Sequence, residues 1–95
     1  MNTLDLQHED QALLDSLHAL DRACGPYTKK HDRAIVLIHA CIDAGQNTHG
    51  RIISIMHAIG WNLKHAQIIL SKSAGSNPAL HRWQRDEAGV YHNHL

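Results

Sequence analysis

The stretch that decides the fold reads Ile55-Met56-His57-Ala58-Ile59-Gly60-Trp61-Asn62-Leu63-Lys64-His65-Ala66-Gln67-Ile68-Ile69-Leu70. Apolar residues recur at helical spacing on both sides of Gly60. Glycine readily adopts the left-handed backbone that ends a helix, and asparagine is a preferred cap for the start of the next one. The stretch therefore predicts two helices joined by a tight turn, with Asn62 as the N-cap of the second.

A stripe of leucines upstream of this stretch marks an amphipathic helix. Leu13, Leu17 and Leu20 recur three or four residues apart within residues 9–24, so they share one face. Residues 25–26, Gly-Pro, end this helix, because glycine caps a helix and proline cannot continue one. The stripe must be buried, either against the domain's own core or against the same helix of a second chain.

The next helices supply the rest of the core. Residues 29–44 are apolar nearly all round, which indicates a central, buried helix. The β-branched residues in this segment also fit a buried strand, but its length and the stop at Gly45 favour a helix. The third and fourth helices are predicted to run from Asn47 or Thr48 to Gly60 and from Asn62 to Ser71 or Ser73.

The C-terminal part of the chain has the pattern of a β-hairpin. Residues 80–85 and 90–95 alternate with period 2, and residues 86–89 have the Asp-first, Gly-last composition of a type I turn closed by a left-handed glycine. A two-stranded hairpin is marginal alone, so it should lie against the helices. We expect Trp83 to seal it there and Trp61 to pack between helices.

Length and composition allow one small domain. The 95 residues are 43% apolar and lack Phe, which predicts a single aliphatic core. No apolar run approaches the roughly 20 residues needed to span a bilayer, and residues 1–5 lack the positive and apolar regions of a secretory signal. We therefore expect a cytoplasmic protein without a membrane partner. Cys24 and Cys41 are then expected to be buried thiols, and no motif supports a redox pair.

The charges cancel in total but are unevenly distributed. Lys and Arg number 9, as do Asp and Glu. Residues 1–23 carry five acids against one arginine, whereas residues 24–95 carry eight Lys or Arg against four acids. A neutral total weakens the prediction of a nucleic-acid partner, because strong DNA binders have a basic footprint. The distribution leaves an acidic head and a mildly basic body.

Three helices followed by a hairpin over residues 30–95 resemble the winged helix-turn-helix superfamily, most closely in residues 55–70. The resemblance implies a mainly α fold with a two-stranded β-hairpin wing at its C-terminus. Residues 1–27 would form an extra acidic amphipathic helix, for packing or dimerisation, and residues 28–95 the winged domain. Met56 stands where many members have alanine, and its bulk predicts a wider separation of the two helices.

The resemblance also implies a set of DNA contacts. In this superfamily the second helix of the unit fits the major groove, and its N-terminal residues reach base edges. Asn62 can cap that helix or contact DNA, but not easily both. The polar residues equally fit the solvated face of a surface helix. The base-reading residues would be Asn62, Lys64, His65 and Gln67, and the phosphate contacts Arg51, Lys72, Arg82 and Arg85.

The sequence thus favours a sequence-specific DNA-binding protein, a small bacterial transcription regulator whose partner is double-stranded DNA. The alternative is a protein–protein interaction module of the same fold, an adaptor or an inhibitor from a mobile element, that does not bind DNA. We also expect a homodimer through the N-terminal helix, in which Leu13, Leu17 and Leu20 form the contact.

Enzymatic and metal functions have little support in the sequence. There is no Gly-rich phosphate loop and no G-x-S-x-G motif, and Ser54 and His57 lack an orienting acid, so we expect neither an enzyme nor a cofactor. The ten histidines are scattered without metal-ligand spacing, which predicts no metal site. His92 and His94 share one face of a strand and suit adventitious binding, and a metal-responsive switch is a third, less supported hypothesis.

Overall fold

Four helices followed by a two-stranded hairpin make up the chain, in a computed structural model that describes residues 8–26 and 28–94, with side chains from residue 11 onward. The predicted mainly α fold with an extra N-terminal helix and a hairpin wing is therefore confirmed. The expectation about residues 1–5 lies outside the described residues. The elements are α1 (His8–Cys24), α2 (Lys30–Asp43), α3 (His49–Ala58), α4 (Leu63–Lys72), β1 (Trp83–Arg85) and β2 (Tyr91–Asn93).

The turn between α3 and α4 forms as its composition predicts. Gly60 has a φ of +96°, a left-handed conformation that side chains rarely adopt, and the Trp61 amide donates to the Met56 carbonyl at 2.9 Å. Asn62 Oδ1 accepts from the His65 amide at 2.9 Å, which caps the N-terminus of α4. The turn therefore fixes the bend between α3 and α4, and Met56 of α3 is completely buried.

The central helix of the fold is α2, which packs against each of the other three helices and against β2. The helical interpretation of this segment is confirmed over the strand. Its buried residues are Ala34, Ile35, Leu37, Ile38, Cys41 and Ile42, and they form one cluster with side chains from α1, α3, α4 and the hairpin.

The leucine stripe of α1 is buried in the domain's own core. Leu17 is only 1% exposed and belongs, with Leu14, to the same cluster as the α2 side chains. An ion pair of 2.7 Å between Asp21 and Arg33 also joins α1 to α2. Leu17 is therefore not available to a second chain, which corrects the predicted dimer contact: only the half-buried Leu13 and Leu20 retain exposed area.

The hairpin, which we call the wing, is anchored at both of its strands. Trp83 is completely buried and its Nε1 donates to the Leu70 carbonyl of α4 at 2.9 Å, as its sealing role predicts. Val90 pairs antiparallel with Thr48, and the Tyr91 amide donates to the Asn47 carbonyl at 2.7 Å. The wing is thus bonded to α4 and to the loop between α2 and α3.

The strands of the wing are shorter than the alternation predicts. The amides of Leu80 and His81 both donate to the Asn77 carbonyl, at 3.0 and 2.8 Å, so this segment is a turn and β1 begins only at Trp83. Leu80 is 76% exposed as a result. The second strand, expected over residues 90–95, covers Tyr91–Asn93, and residue 95 lies outside the described residues.

Candidate nucleic-acid interface

The exposed side of α4 is a shallow groove of about 370 Å³. A helix that buries one face presents the opposite face to solvent, and α4 buries Ala66, Ile69 and Leu70. The structure therefore brings three of the predicted contact residues onto one surface, where they surround an isoleucine and a serine. The groove is lined by Lys64, Gln67, Ile68, Ser71 and Lys72, which we call the α4 outer face.

The part of the chain that contains this face has no negative side chain. Residues 44–85 hold no Asp or Glu, whereas seven acids precede them in the sequence and two follow them, Asp86 and Glu87. The neutral total charge therefore conceals an uneven distribution of the two signs along the chain. The cations of this segment are Arg51, Lys64, Lys72, Arg82 and Arg85.

Two of the predicted base-reading residues have other contacts. Asn62 Oδ1 accepts from the His65 amide and caps α4, so this oxygen has the capping role and not the DNA contact that was expected as the alternative. The His65 ring lies 6.0 Å from the Trp61 ring and is half-buried. Neither residue lines the α4 outer face.

The predicted phosphate contacts lie on three elements. Lys72 belongs to the α4 outer face, while Arg51 lies in the first turn of α3, where its Nε donates to Gln46 Oε1 at 2.7 Å. Arg85 holds its guanidinium 5.7 Å above the Tyr91 ring on the wing. Arg82 precedes β1, is exposed, and bonds through its amide to the Ser73 carbonyl at 2.8 Å.

A cleft of about 500 Å³ borders the N-terminus of α4, and no sequence pattern indicates it. The Lys30 Nζ and the Arg33 guanidinium of α2 lie 5.7 and 5.8 Å from the centre of the Trp61 ring. The burial of Trp61 agrees with its predicted packing role. No local pattern joins residues 30 and 61, so only the fold reveals this cluster. The cleft is lined by Lys30, His57, Gly60, Trp61, Asn62 and Leu63.

The turn of the wing is organised by one carboxylate. Asp86 Oδ1 accepts from the amides of Ala88 and Val90, each at 2.9 Å, and its Oδ2 lies 2.9 Å from His92 Nε2. The hydrogen bond from His92, followed by the one from Val90, lowers the pKa of Asp86. Gly89 closes the turn with a φ of +83°, as predicted from its position.

Comparison with known proteins identifies no relative of the chain: no family model, curated protein or solved structure matches it. No described helix is both long and apolar enough to cross a membrane. The contacts, charges and burial given above are therefore the observations from which a function is inferred.

A buried thiol, Cys41, and a half-buried imidazole, His39, lie away from the α4 outer face. Burial raises the pKa of the Cys41 thiol to about 12, so this thiol stays protonated and unreactive. Burial also lowers the pKa of His39, whose ring meets Trp83 edge-on at 5.2 Å, although Asp43 and Asn93 act in the opposite direction. Within residues 8–26 and 28–94, no group of three or more metal-ligating side chains is close enough to share an ion.

Proposed function

We propose that this chain is a sequence-specific DNA-binding protein of the winged helix-turn-helix superfamily, a bacterial transcription regulator that acts in the cytoplasm and places α4 in the major groove. The observation that carries this proposal is the α4 outer face, a polar and cationic surface on the helix that follows the tight turn. The major groove, about 12 Å wide, admits one α-helix. Binding there would expose Lys64, Gln67 and Lys72 to DNA.

The spacing of the two lysines supports this placement. Lys64 and Lys72 are eight residues apart on one helix, which corresponds to about 12 Å along its axis. Two cations at that separation suit phosphates on either side of the bases that Gln67 would contact. No carboxylate between Ala44 and Arg85 would oppose this approach.

Titration of a fluorescein-labelled 20-base-pair duplex, followed by anisotropy over a series of salt concentrations, tests the proposal. We expect binding at low salt that weakens as salt rises. Removing both lysines, by Lys64→Ala with Lys72→Ala, should reduce the steepness of the log–log salt plot by about 0.9 for each phosphate that the variant no longer neutralises. Arg22→Ala removes one positive charge from an exposed position of α1 and serves as the control, which should keep the native salt slope.

Two results would count against DNA binding through α4. One is the lack of any anisotropy change at low salt, and the other is a salt slope that the double lysine variant shares with the native chain. Selection from a pool of random duplexes would then define the preferred site of a chain that binds. A sequence-independent outcome of that selection would reduce the proposal to non-specific binding.

A protein-interaction module is the second candidate function. Leu63 and Ile68 are each 43% exposed on α4, and exposed aliphatic side chains suit a protein partner. The wing turn carries Asp86 and Glu87, which would repel phosphates close to it. This candidate would be favoured if the purified chain bound a protein partner at the α4 outer face and had no affinity for DNA.

A homodimer through α1 belongs to the same proposal. With Leu17 inside the core, the contact would be limited to Leu13 and Leu20, close to exposed Asp15 of each chain. Such a pair would bring two α4 helices to half-sites about one turn of DNA apart.

A further inference from the structure

Ile68 is an unexpected residue for the place it occupies. It is 43% exposed at the middle of the α4 outer face, four residues from Lys64 and four from Lys72. The i, i+4 spacing puts the three side chains in one row, with Gln67 and Ser71 in the row beside it. A large aliphatic group between two cations gains nothing from water, so a ligand that covers it should offer an apolar group flanked by negative charge.

The base edges of DNA offer one such group. In the major groove only thymine presents a methyl group, at its C5 position, and it lies between two phosphate backbones. Adenine, its partner, presents the N7 acceptor and N6 donor that a glutamine side chain pairs with. Gln67 and Ile68 are consecutive, so their Cα atoms are separated by about 1.5 Å along the helix axis, less than the roughly 3.4 Å between base pairs. The two side chains therefore reach the same or adjacent base pairs.

The α4 outer face lacks the groups that read the other base pair best. Guanine is most often recognised by the bidentate guanidinium of arginine, and cytosine N4 by a carboxylate. The residues of α4 include neither arginine nor an acid. Lys64 can reach guanine O6 and N7. It lies in the first turn of α4, however, and if its ammonium group contacts a phosphate there it does not contact a base.

We infer that the α4 outer face reads A·T base pairs, with Ile68 against the C5 methyl of thymine and Gln67 against adenine. This inference rests on the proposed DNA binding and gives it a base preference. Ile68 is then a specificity-determining residue, whereas Lys64 and Lys72 supply affinity that does not depend on sequence.

Three duplexes of equal length, used as competitors at one salt concentration, test the inference. They are alternating A·T, the same duplex with deoxyuridine in place of thymidine, and alternating G·C. Uracil keeps every hydrogen-bonding group of thymine and lacks only the methyl. In an alternating duplex the contacts repeat every two base pairs, so the operator need not be known. We expect the A·T duplex to compete best and the uracil duplex to compete about fourfold less well, the factor for one buried methyl-sized group.

Two variants assign this difference to its side chain. Ile68→Ala should bind the thymine and uracil duplexes equally, while retaining the salt dependence that the lysines provide. Val36→Ala is the matched control, because Val36 is an aliphatic residue with similar exposure, 37%, on α2. It should keep the native ratio. Both side chains are half-exposed, so thermal unfolding of each variant should remain close to that of the native chain.

The outcomes separate the inference from the function on which it rests. Binding with equal affinity for all three duplexes, or a preference for G·C, overturns the base preference and leaves DNA binding intact. A thymine-to-uracil ratio that survives in Ile68→Ala also overturns it, since another group would then contact the methyl. Failure to bind any duplex overturns both. Tighter binding of alternating G·C after 5-methylcytosine replaces cytosine would support the methyl contact independently.

Discussion

Two glycines differ sharply in what a single methyl group would meet. A Cβ on Gly75 would overlap the His81 ring, whose Nδ1 is 3.2 Å from the Asn77 carbonyl oxygen. A Cβ on Gly50, inside α3, would meet nothing within 4 Å. The backbone at Gly75 therefore leaves no room for a side chain beside His81, whereas Gly50 in α3 has open space around it.

Opposite changes in stability follow for these two positions. Gly75→Ala should lower the free energy of unfolding by about 1–3 kcal/mol, because the half-buried ring of His81 must move away and lose its contact with Asn77. Gly50→Ala should raise it by about 0.4–1 kcal/mol, because alanine restricts the unfolded chain and suits a helix. Urea unfolding followed by circular dichroism measures both. A Gly75→Ala chain as stable as the native one would contradict the role given to His81.

At the scale of an element, the turn of the wing depends on the charge of Asp86. Its pKa is lowered in the folded chain, so its contribution to the turn is complete above the ordinary aspartate range and disappears as pH falls through the lowered pKa. We expect the amide resonances of Ala88 and Val90 to shift together at a midpoint below about pH 4, the ordinary aspartate value. Nuclear magnetic resonance titration measures this while the core resonances remain native.

The variant Asp86→Asn supplies the control for that titration. Its side-chain oxygen can still accept from both amides, but it has no charge to lose, so the acidic shift should disappear. Amide resonances that stay constant in the native chain down to pH 2, or that move at a midpoint above the ordinary aspartate range, would refute the role of the carboxylate.

The elements that the sequence predicts well are those whose ends are marked locally. Gly60 with Asn62 at one turn, and Asp86 with Gly89 at another, carry their backbone preferences with them. The pairing of Thr48 with Val90 joins residues far apart in the chain, and no local pattern marks it. Alternation alone also predicts too early a start for β1. It does not reveal that the Asn77 carbonyl accepts the amides of Leu80 and His81, which makes that segment a turn.

The candidate site could be predicted in part for the same reason. Lys64, Gln67 and Lys72 share a face because helical spacing is a local property. The same spacing places Ile68 on this face, but that the side chain is 43% exposed is known only from the fold. The cluster of Lys30 and Trp61 depends on how α2 meets α4, which periodicity does not specify.

For the whole molecule, the position of Leu17 makes α1 part of the fold and not an appendage. Leu17→Ala should lower the free energy of unfolding by about 2–5 kcal/mol, the cost of emptying a fully buried leucine site. Ser16→Ala, at an exposed position of the same helix, should change it by less than about 0.5 kcal/mol. Denaturant unfolding measures both.

Sedimentation equilibrium of the same two variants relates α1 to the proposed dimer. Association through Leu13 and Leu20 should persist in Leu17→Ala, because Leu17 faces the chain's own core. If Leu17→Ala leaves the stability unchanged but abolishes a dimer, Leu17 packs between chains and the intrachain position is wrong.

The anchoring of the wing has a mechanical consequence. Trp83 is bonded to Leu70 of α4, and Tyr91 to Asn47 before α3, so the distance between α4 and the wing is set when the chain folds. Neither element then has to be ordered at the moment of contact, which lowers the entropic cost of association. A duplex that touches both must adapt its own curvature to this fixed span. Under the proposed function, the sequence-dependent stiffness of the DNA would therefore contribute to the choice of binding site, even at base pairs that the protein does not contact.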